Sequence, residues 1–266
     1  MIRVLICGFC GRMGTQIVNA VATQNDMMVV GGFDPAAPSP DVTLNGEIIA
    51  PAFTDLSIAL QQSEPDVLVD FTAPNAVEGN LRIALPLGVD CVVGTTGVPL
   101  EKYAELVKLA PEGTTLFNAP NFTTGAVLMM AFAKTAARFF PDAEVIEFHH
   151  NGKKDAPSGT AISTAREIAR VRSEAGISGS APGKETELSG YEGARGADVS
   201  SIPVHSVRSN GYVAHQEVIF GSPGQTLTIR HDSIDRSSYM PGILLAIREV
   251  ANLSGLIIGL EELLGL

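Results

Sequence analysis

The sequence is short of cysteine, of positive charge and of long apolar runs, and each shortage removes a class of function. Its three cysteines, Cys7, Cys10 and Cys91, are an odd and small set, which excludes a disulfide framework. Lys plus Arg number 18 against 29 Asp plus Glu, a formal net charge of −11. General binding to nucleic acid or to an anionic membrane needs a basic surface and is excluded on that ground. No apolar run reaches the roughly 20 residues of a membrane span; the nearest, Ile243 to Leu256, is interrupted by Arg248 and Glu249. Arg3 before Val4-Leu5-Ile6 is a faint echo of a secretion signal, but Arg12 and three glycines break it, so the expected location is the cytoplasm.

What is present is enough to fold. Hydrophobic residues make up 45% of the 266 and charged residues 18%, a composition that buries a sizeable core. At about 150 residues per domain, the length predicts one large domain or two ordinary ones.

Ile2 to Cys7 is a short apolar run suited to a buried strand, and a glycine-rich turn follows it. Met13, Ile17 and Val21 then recur at helical spacing, and a second apolar run, Met28 to Phe33, ends at Asp34. The alternation continues: strands are predicted at 66–71, 89–93 and 115–117, helices at 75–87 and 100–109. Strands alternating with helices predict a parallel, doubly wound sheet. After residue 123 the pattern changes to a long helix (125–140), a strand (143–149), a helix (160–172), and β-like runs at 202–207, 213–220 and 225–231. Residues 173–197 are rich in Gly and Ser and predict a long mobile loop. A last helix is expected over 241–253. The fold class is therefore α/β: an N-terminal Rossmann-type doubly wound parallel sheet plus an α+β substrate domain with an open mixed sheet. The expected divisions are 1–123 for the dinucleotide, 124–235 for substrate and oligomerisation, and 236–266 as a return to the first domain.

Three motifs carry chemistry. The first, Gly8-Phe9-Cys10-Gly11-Arg12-Met13-Gly14, departs from G-x-G-x-x-G, yet the physics of a pyrophosphate loop holds. Gly8 permits a tight turn, Gly11 a close backbone approach and Gly14 close helix packing, while the helix start offers free N–H groups. Asp34, 20 residues past Gly14, can accept bonds from the ribose hydroxyls. A carboxylate there repels a 2′-phosphate, and Pro35-Ala36-Ala37 supplies no Arg. NADH is therefore favoured, with NADPH left open because Arg12 can reach the same place. Cys7-x-x-Cys10 has the spacing of a redox pair or half a zinc site. No second pair accompanies it and Cys7 falls in a strand pattern, so the spacing is read as chance.

The second motif is Gly94-Thr95-Thr96-Gly97, directly after a strand, where ligands of doubly wound sheets sit. Asn118-Ala119-Pro120-Asn121-Phe122 holds the equivalent place after the next strand. The third is Glu147-Phe148-His149-His150-Asn151-Gly152-Lys153-Lys154-Asp155-Ala156-Pro157-Ser158-Gly159-Thr160. Imidazole supplies a proton near neutral pH, lysine offers charge to a carboxylate, and Ser158 or Thr160 can cap the next helix beside an anion site. Together they describe a pocket for a small acidic substrate. No H-E-x-x-H or paired cysteine accompanies the histidines, so no metal is expected.

Residues 147–161 match E-x-H-H-x-x-K-x-D-A-P-S-G-T-A at every fixed position. Here the chain resembles the 4-hydroxy-tetrahydrodipicolinate (dihydrodipicolinate) reductase family of the diaminopimelate and lysine pathway. The resemblance also takes in Gly11-Arg12-Met13-Gly14, Asp70-Phe71-Thr72, Gly94-Thr95-Thr96-Gly97, Asn121-Phe122, His205-Ser206-Val207-Arg208 and Ala214-His215. It implies NAD(P)H-dependent reduction of a cyclic, unsaturated imine dicarboxylate with loss of water, by a homotetramer. It implies His149 as proton donor, Lys153 as the lysine that binds or protonates substrate, and His150, Ser158, Gly159 and Thr160 as carboxylate holders. Cofactor contacts are implied at Gly8, Phe9, Cys10, Gly11, Arg12, Met13, Asp34, Gly94, Thr95, Thr96, Ala119, Pro120, Asn121 and Phe122. Members with an Arg after the acidic residue grip a 2′-phosphate; this chain has Pro35. Two other readings remain. Another two-domain nicotinamide enzyme fits the glycine loop but not the His-His-x-x-Lys cluster. A non-catalytic NADH sensor would keep the loop and lose the cluster.

Overall fold

The structure is a computed structural model describing residues 1–179, 191 and 193–266. By internal contacts the chain forms two units, Met1–Thr124 with Arg236–Leu266, and Gly125–Asp235.

In the first unit the apolar run Ile2–Cys7 is strand β1, and the Gly8 turn leads into helix α1 (Arg12–Ala22) and strand β2 (Met27–Phe33). The chain then makes a hairpin of β3 (Asp41–Leu44) and β4 (Glu47–Phe53) and a helix α2 (Leu56–Ser63). Alternation resumes with β5 (Val67–Asp70), α3 (Pro74–Ala84), β6 (Asp90–Val93), α4 (Leu100–Leu106) and β7 (Thr115–Asn118). After the second unit, α7 (Met240–Glu249) and β13 (Gly255–Ile258) complete it. The sheet order is β13-β7-β6-β5-β1-β2-β4-β3, parallel except for the β3–β4 hairpin. Strand order reverses between β1 and β5, so the crevice at their carboxyl ends is the switch point where ligands of such sheets bind. Leu5, Leu68, Leu81, Leu85, Cys91 and Leu116, all fully buried, form the core on one face.

The expected strands lie within two residues of those found. The hairpin, α2 and β13 are additions to the expected order. Asn45 and Gly46, at φ 53° and 85°, make the tight turn of the hairpin. Asp55 starts α2 by accepting the Ile58 N–H at 3.0 Å.

The second unit opens with α5 (Thr124–Ala136) and β8 (Asp142–His149), then α6 (Gly159–Glu174). Strands β9 (Ala197–Val199), β10 (Ile202–Arg208), β11 (Ala214–Ser222) and β12 (Gln225–Ser233) follow. The five-stranded sheet runs β12-β11-β8-β10-β9, with β10 parallel to β8 and the other pairs antiparallel, so it is open and mixed. Ala143, Val145, Ile168, Val204, Val218 and Phe220 fill its core. The mobile loop expected at 173–197 falls in large part outside the described residues, and both its ends are corrected. Helix α6 continues to Glu174, where Arg170 pairs with that carboxylate one turn on, and Ala197 begins β9 by pairing with Val204.

Candidate functional site

In the second unit the site grows from the carboxyl end of β8. Alternation along the strand puts Val145, Glu147 and His149 on the face that α6 covers. Glu147 is wholly buried and would be costly unless every lone pair were met. Its partners meet them. Arg208, two residues beyond the β10 partner of Glu147, donates Nη1 to Oε2 and Nη2 to Oε1, both at 2.8 Å. The Ser158 N–H reaches Oε1 at 3.2 Å, and His149 Nδ1 sits 2.5 Å from Oε2. Burial pushes the Glu147 carboxyl up, but hydrogen bonds from His149, Arg208 and Ser206 outweigh it and hold the group at about 2.

That fixes the histidine's tautomer. An ionised carboxylate only accepts, so Nδ1 of His149 carries a proton and Nε2 is left to exchange one. Arg208 also donates to the Asp155 carbonyl at 2.7 Å, tying β10 to the loop that follows β8.

The loop brings the remaining expected residues to the same end of the sheet. Lys153 N–H closes a turn on the His150 carbonyl at 3.1 Å, and Lys153 Nζ lies 2.9 Å from Asp155 Oδ1. The Asp155 carboxyl is held below its usual range by that lysine. Of the two capping candidates, Ser158 is the cap: its Oγ accepts the Ala161 N–H at 3.3 Å. The N–H groups of Gly159 and Thr160, in the first turn, have no acceptor within the helix and make an anion site. His150 and Gly159 are exposed and Thr160 is half-buried. Lys154 is exposed.

In the first unit Gly8 adopts φ 75° directly after β1, a conformation that favours glycine. Its N–H bonds the Phe33 carbonyl at 2.7 Å and its carbonyl accepts the Gly11 N–H at 2.9 Å. A Cβ on Gly14 would overlap the Gly8 carbonyl oxygen and stand 2.6 Å from Phe9 Cα, so α1 starts hard against the loop. Gly11 caps α1 without any side-chain bond, which leaves the first-turn N–H groups at Arg12 and Met13 for an anion. The loop fits a dinucleotide pyrophosphate. Asp34, half-buried at the end of β2, accepts the Ala36 N–H on Oδ1 at 3.0 Å. The Cys10 thiol is pushed up by burial, by the Asp34 charge and by its hydrogen bond to that carboxyl. Phe9 packs its ring on Gly32, where a Cβ would come within 2.7 Å of it.

The two later motifs are less uniform. Gly94 and the exposed Thr96 lie at the carboxyl end of β6. Thr95 is turned inward, its hydroxyl donating to Asp70 at 3.1 Å, so its side chain is engaged within the protein. Tyr103 donates to the Thr95 carbonyl at 3.1 Å, and burial followed by the Asp70 charge pushes its phenol to about 12. Ala119 and Phe122 are buried, Pro120 is exposed, and Asn121 accepts the Thr123 N–H at 2.8 Å. Of the two cysteines at redox spacing, Cys7 is buried in β1 and Cys10 is exposed.

Glu147, Arg208 and Asp70 are the participants that sequence reasoning left without a role. All three stand in motifs quoted above, but the Glu147–Arg208 and Asp70–Thr95 pairings join positions 61 and 25 residues apart.

Comparison with known proteins matches two family models to the chain. The family described as dihydrodipicolinate reductase, N-terminus, matches residues 2–122, and dihydrodipicolinate reductase, C-terminus, matches residues 125–264. A 4-hydroxy-tetrahydrodipicolinate reductase from Enterococcus faecalis is 47% identical, covering 99% of this chain and 100% of its own. One from Mycolicibacterium smegmatis is 46% identical, covering 99% of both. Among solved structures, dipicolinate-bound dihydrodipicolinate reductase from Paenisporosarcina sp. TG-14 is 40% identical with a TM-score of 0.86, over 98% of this chain and 99% of that one.

Proposed function

The chain belongs to the dihydrodipicolinate reductase family of NAD(P)H-dependent oxidoreductases, and from that premise we propose its substrate and the residues that act on it. The substrate is 4-hydroxy-tetrahydrodipicolinate, reduced to tetrahydrodipicolinate with loss of water in lysine and diaminopimelate synthesis. The observation that carries the assignment is the buried Glu147 carboxylate bonded to His149 Nδ1, beside the uncapped N–H groups of Gly159 and Thr160.

The substrate is a dianion, and a protein of net charge −11 must hold it by local means. The Gly159 and Thr160 N–H groups and the hydroxyl of Thr160 take one carboxylate, with His150 at its side. Lys153 takes the other, exchanging its exposed partner Asp155 for the ligand. Loss of the ring hydroxyl as water leaves a conjugated imine, to which a dinucleotide held by the Gly8–Met13 loop and Asp34 would supply a hydride. Electron density then moves to the ring nitrogen. His149 delivers a proton from Nε2 to the carbon end of that nitrogen–carbon anion, which restores the imine of the product, and the Glu147 carboxylate stabilises the imidazolium that precedes delivery. Lys153 adds positive charge to the same electron-rich transition state.

Asp34 followed by Pro35 supports NADH as the preferred donor, for want of an Arg to hold a 2′-phosphate. In the same reading the protein is a cytoplasmic homotetramer. The family resemblance supports that, and the assembly is supported by edge strand β12, whose residues 225–228 are exposed and which pairs on one side only among the described residues. Sedimentation velocity checks it.

The experiment for the reaction follows NADH and NADPH oxidation with substrate made in place by the upstream synthase from pyruvate and aspartate semialdehyde. Turnover that depends on the synthase is expected. Binding of NADH without turnover would overturn the assignment in favour of a sensor or another acidic substrate.

A further inference from the structure

Asp70 is fully buried at the carboxyl end of β5, beside the switch point, and its register partner on β1 is Cys7, the residue before Gly8. Its carboxyl group faces four donors and no cationic side chain is among them. Oδ1 accepts the Thr72 N–H at 3.0 Å, the Thr72 hydroxyl at 2.7 Å and the Thr95 hydroxyl at 3.1 Å. Oδ2 accepts Asn80 Nδ2, from α3, at 2.7 Å. Three bonds gather on Oδ1 and one on Oδ2, so hydrogen bonds from three separate segments hold the group. Burying a carboxyl group with no cationic partner is costly, and hydrogen bonds at best offset that cost. The position therefore asks for another reason.

The neighbours supply one. Thr72, held by two of the bonds, lays its methyl against Gly8: a Cβ there would lie 3.0 Å from Thr72 Cγ2. Thr95, held by the third, belongs to the turn after β6. Between them Phe71 presses its ring on Gly94, where a Cβ would overlap the ring, and meets Phe122 at 5.3 Å between centroids. The three turns at the carboxyl ends of β1, β6 and β7 thus converge on the three residues Asp70-Phe71-Thr72. These are also the turns that the dinucleotide reading assigns to the cofactor.

We propose that Asp70 is a positioning residue for the dinucleotide, touching no ligand, which locks the Gly8, Gly94–Thr96 and Asn121–Phe122 turns at their binding spacing. The proposal rests on the dinucleotide reading of the first unit. Geometry set by hydrogen bonds from distinct loops is lost when any one bond is lost, and a shift of about 1 Å is enough to cost a hundredfold in a positioned contact. Asn80 approaches Asp70 from α3, so it tests the lock without touching the turns.

The test measures NADH affinity by fluorescence titration, affinity for pyridine-2,6-dicarboxylate by calorimetry, and kcat and KM for each substrate. The variants are Asp70→Asn, Asn80→Ala, Thr95→Val and Thr95→Ser. Asp70→Asn, Asn80→Ala and Thr95→Val are expected to weaken NADH about tenfold or more, with dicarboxylate affinity within about twofold. Thr95→Ser, which keeps the hydroxyl, restores NADH affinity. The Asp70→Asn, Thr95→Val pair is no worse than Asp70→Asn alone, because both break one network. Equal NADH affinity in Asn80→Ala and Thr95→Val, with only the melting temperature lowered, overturns the proposal while leaving the dinucleotide reading intact. A parent protein that binds dicarboxylate but no NADH overturns both. If Asp70→Asn does not fold, the three milder variants decide.

Discussion

Glu147 and Arg208 meet as a two-pronged ion pair, 61 residues apart in sequence and on neighbouring parallel strands, with both nitrogen–oxygen distances at 2.8 Å. The pair does more than fill a core, because the same carboxylate also holds His149 Nδ1. Glu147→Gln preserves shape, leaves Arg208 without its anion and removes the charge that supports a protonated His149. The expected outcome is a fall in kcat of about a hundredfold or more, with KM for NADH unchanged. Arg208→Met should do nearly as much and should also unfold at lower urea, since stranding a buried charge costs about 3–5 kcal/mol. Arg208→Lys should not rescue, because a single ammonium cannot reproduce the fork. Steady-state kinetics and urea midpoints check all three; normal kcat in Glu147→Gln would remove the relay from the mechanism.

The same carboxylate sets an acid limit. Its folded value of about 2 lies below the ordinary 4.5, so the folded state binds the proton less tightly than the unfolded state. Its contribution is complete above pH 4.5 and is lost as pH falls through that value towards 2. Urea midpoints of the parent should therefore drop across this window more steeply than those of Glu147→Gln. Parallel curves would mean that the carboxylate is not held ionised by its partners.

In the proposed reading, cofactor choice turns on one position. Asp34 Oδ1 accepts the Ala36 N–H and the carboxyl also meets the Cys10 thiol, a weak donor that a ribose hydroxyl can displace, and Pro35 beside it carries no charge. Pro35→Arg places a guanidinium where a 2′-phosphate would lie, and a charge-assisted pair of that kind lowers KM for NADPH by roughly tenfold. NADH kinetics should change little. If the parent already uses NADPH as well as NADH, Asp34 is not the discriminator, and Arg12→Ala becomes the informative variant.

The legible parts of the fold are those written in local pattern. The run Ile2–Cys7, the glycine turn and the period of α1 need only neighbours in sequence, so β1, α1 and β2 stand where the alternation puts them. The β3–β4 hairpin was also locally written, in Asn45-Gly46, but its strands are short and Pro51 interrupts their alternation. The site was legible to the extent that one loop contains it: His149, Lys153 and Ser158 share a single motif. What holds that motif was not. Arg208 reaches Glu147 from another strand, and Thr95 turns away from the crevice only because Asp70, 25 residues earlier, accepts its hydroxyl. Pairings of this range follow from sheet order, which no local pattern specifies.

Two glycines separate crowding from conformational freedom. A side chain at Gly14 would meet the Gly8 carbonyl oxygen and Phe9 Cα, both backbone atoms of the turn proposed to receive the pyrophosphate. The turn cannot yield without moving Gly8, whose N–H is tied to Phe33 and whose carbonyl is tied to Gly11. Gly14→Ala is therefore expected to lower the melting temperature and abolish NADH binding together. Gly79 sits mid-helix in α3, exposed, with nothing beyond its chain neighbours and its own helical backbone within 4 Å of where a Cβ would be added. Gly79→Ala should raise stability by about 0.5–1 kcal/mol, since only the flexibility of the unfolded chain changes, and NADH affinity should be untouched. Thermal melts with and without NADH separate the cases. The ligand-induced rise in melting temperature disappears in Gly14→Ala and is unchanged in Gly79→Ala. A normal rise in Gly14→Ala would show that the loop has room the packing denies, and would take the pyrophosphate away from the start of α1.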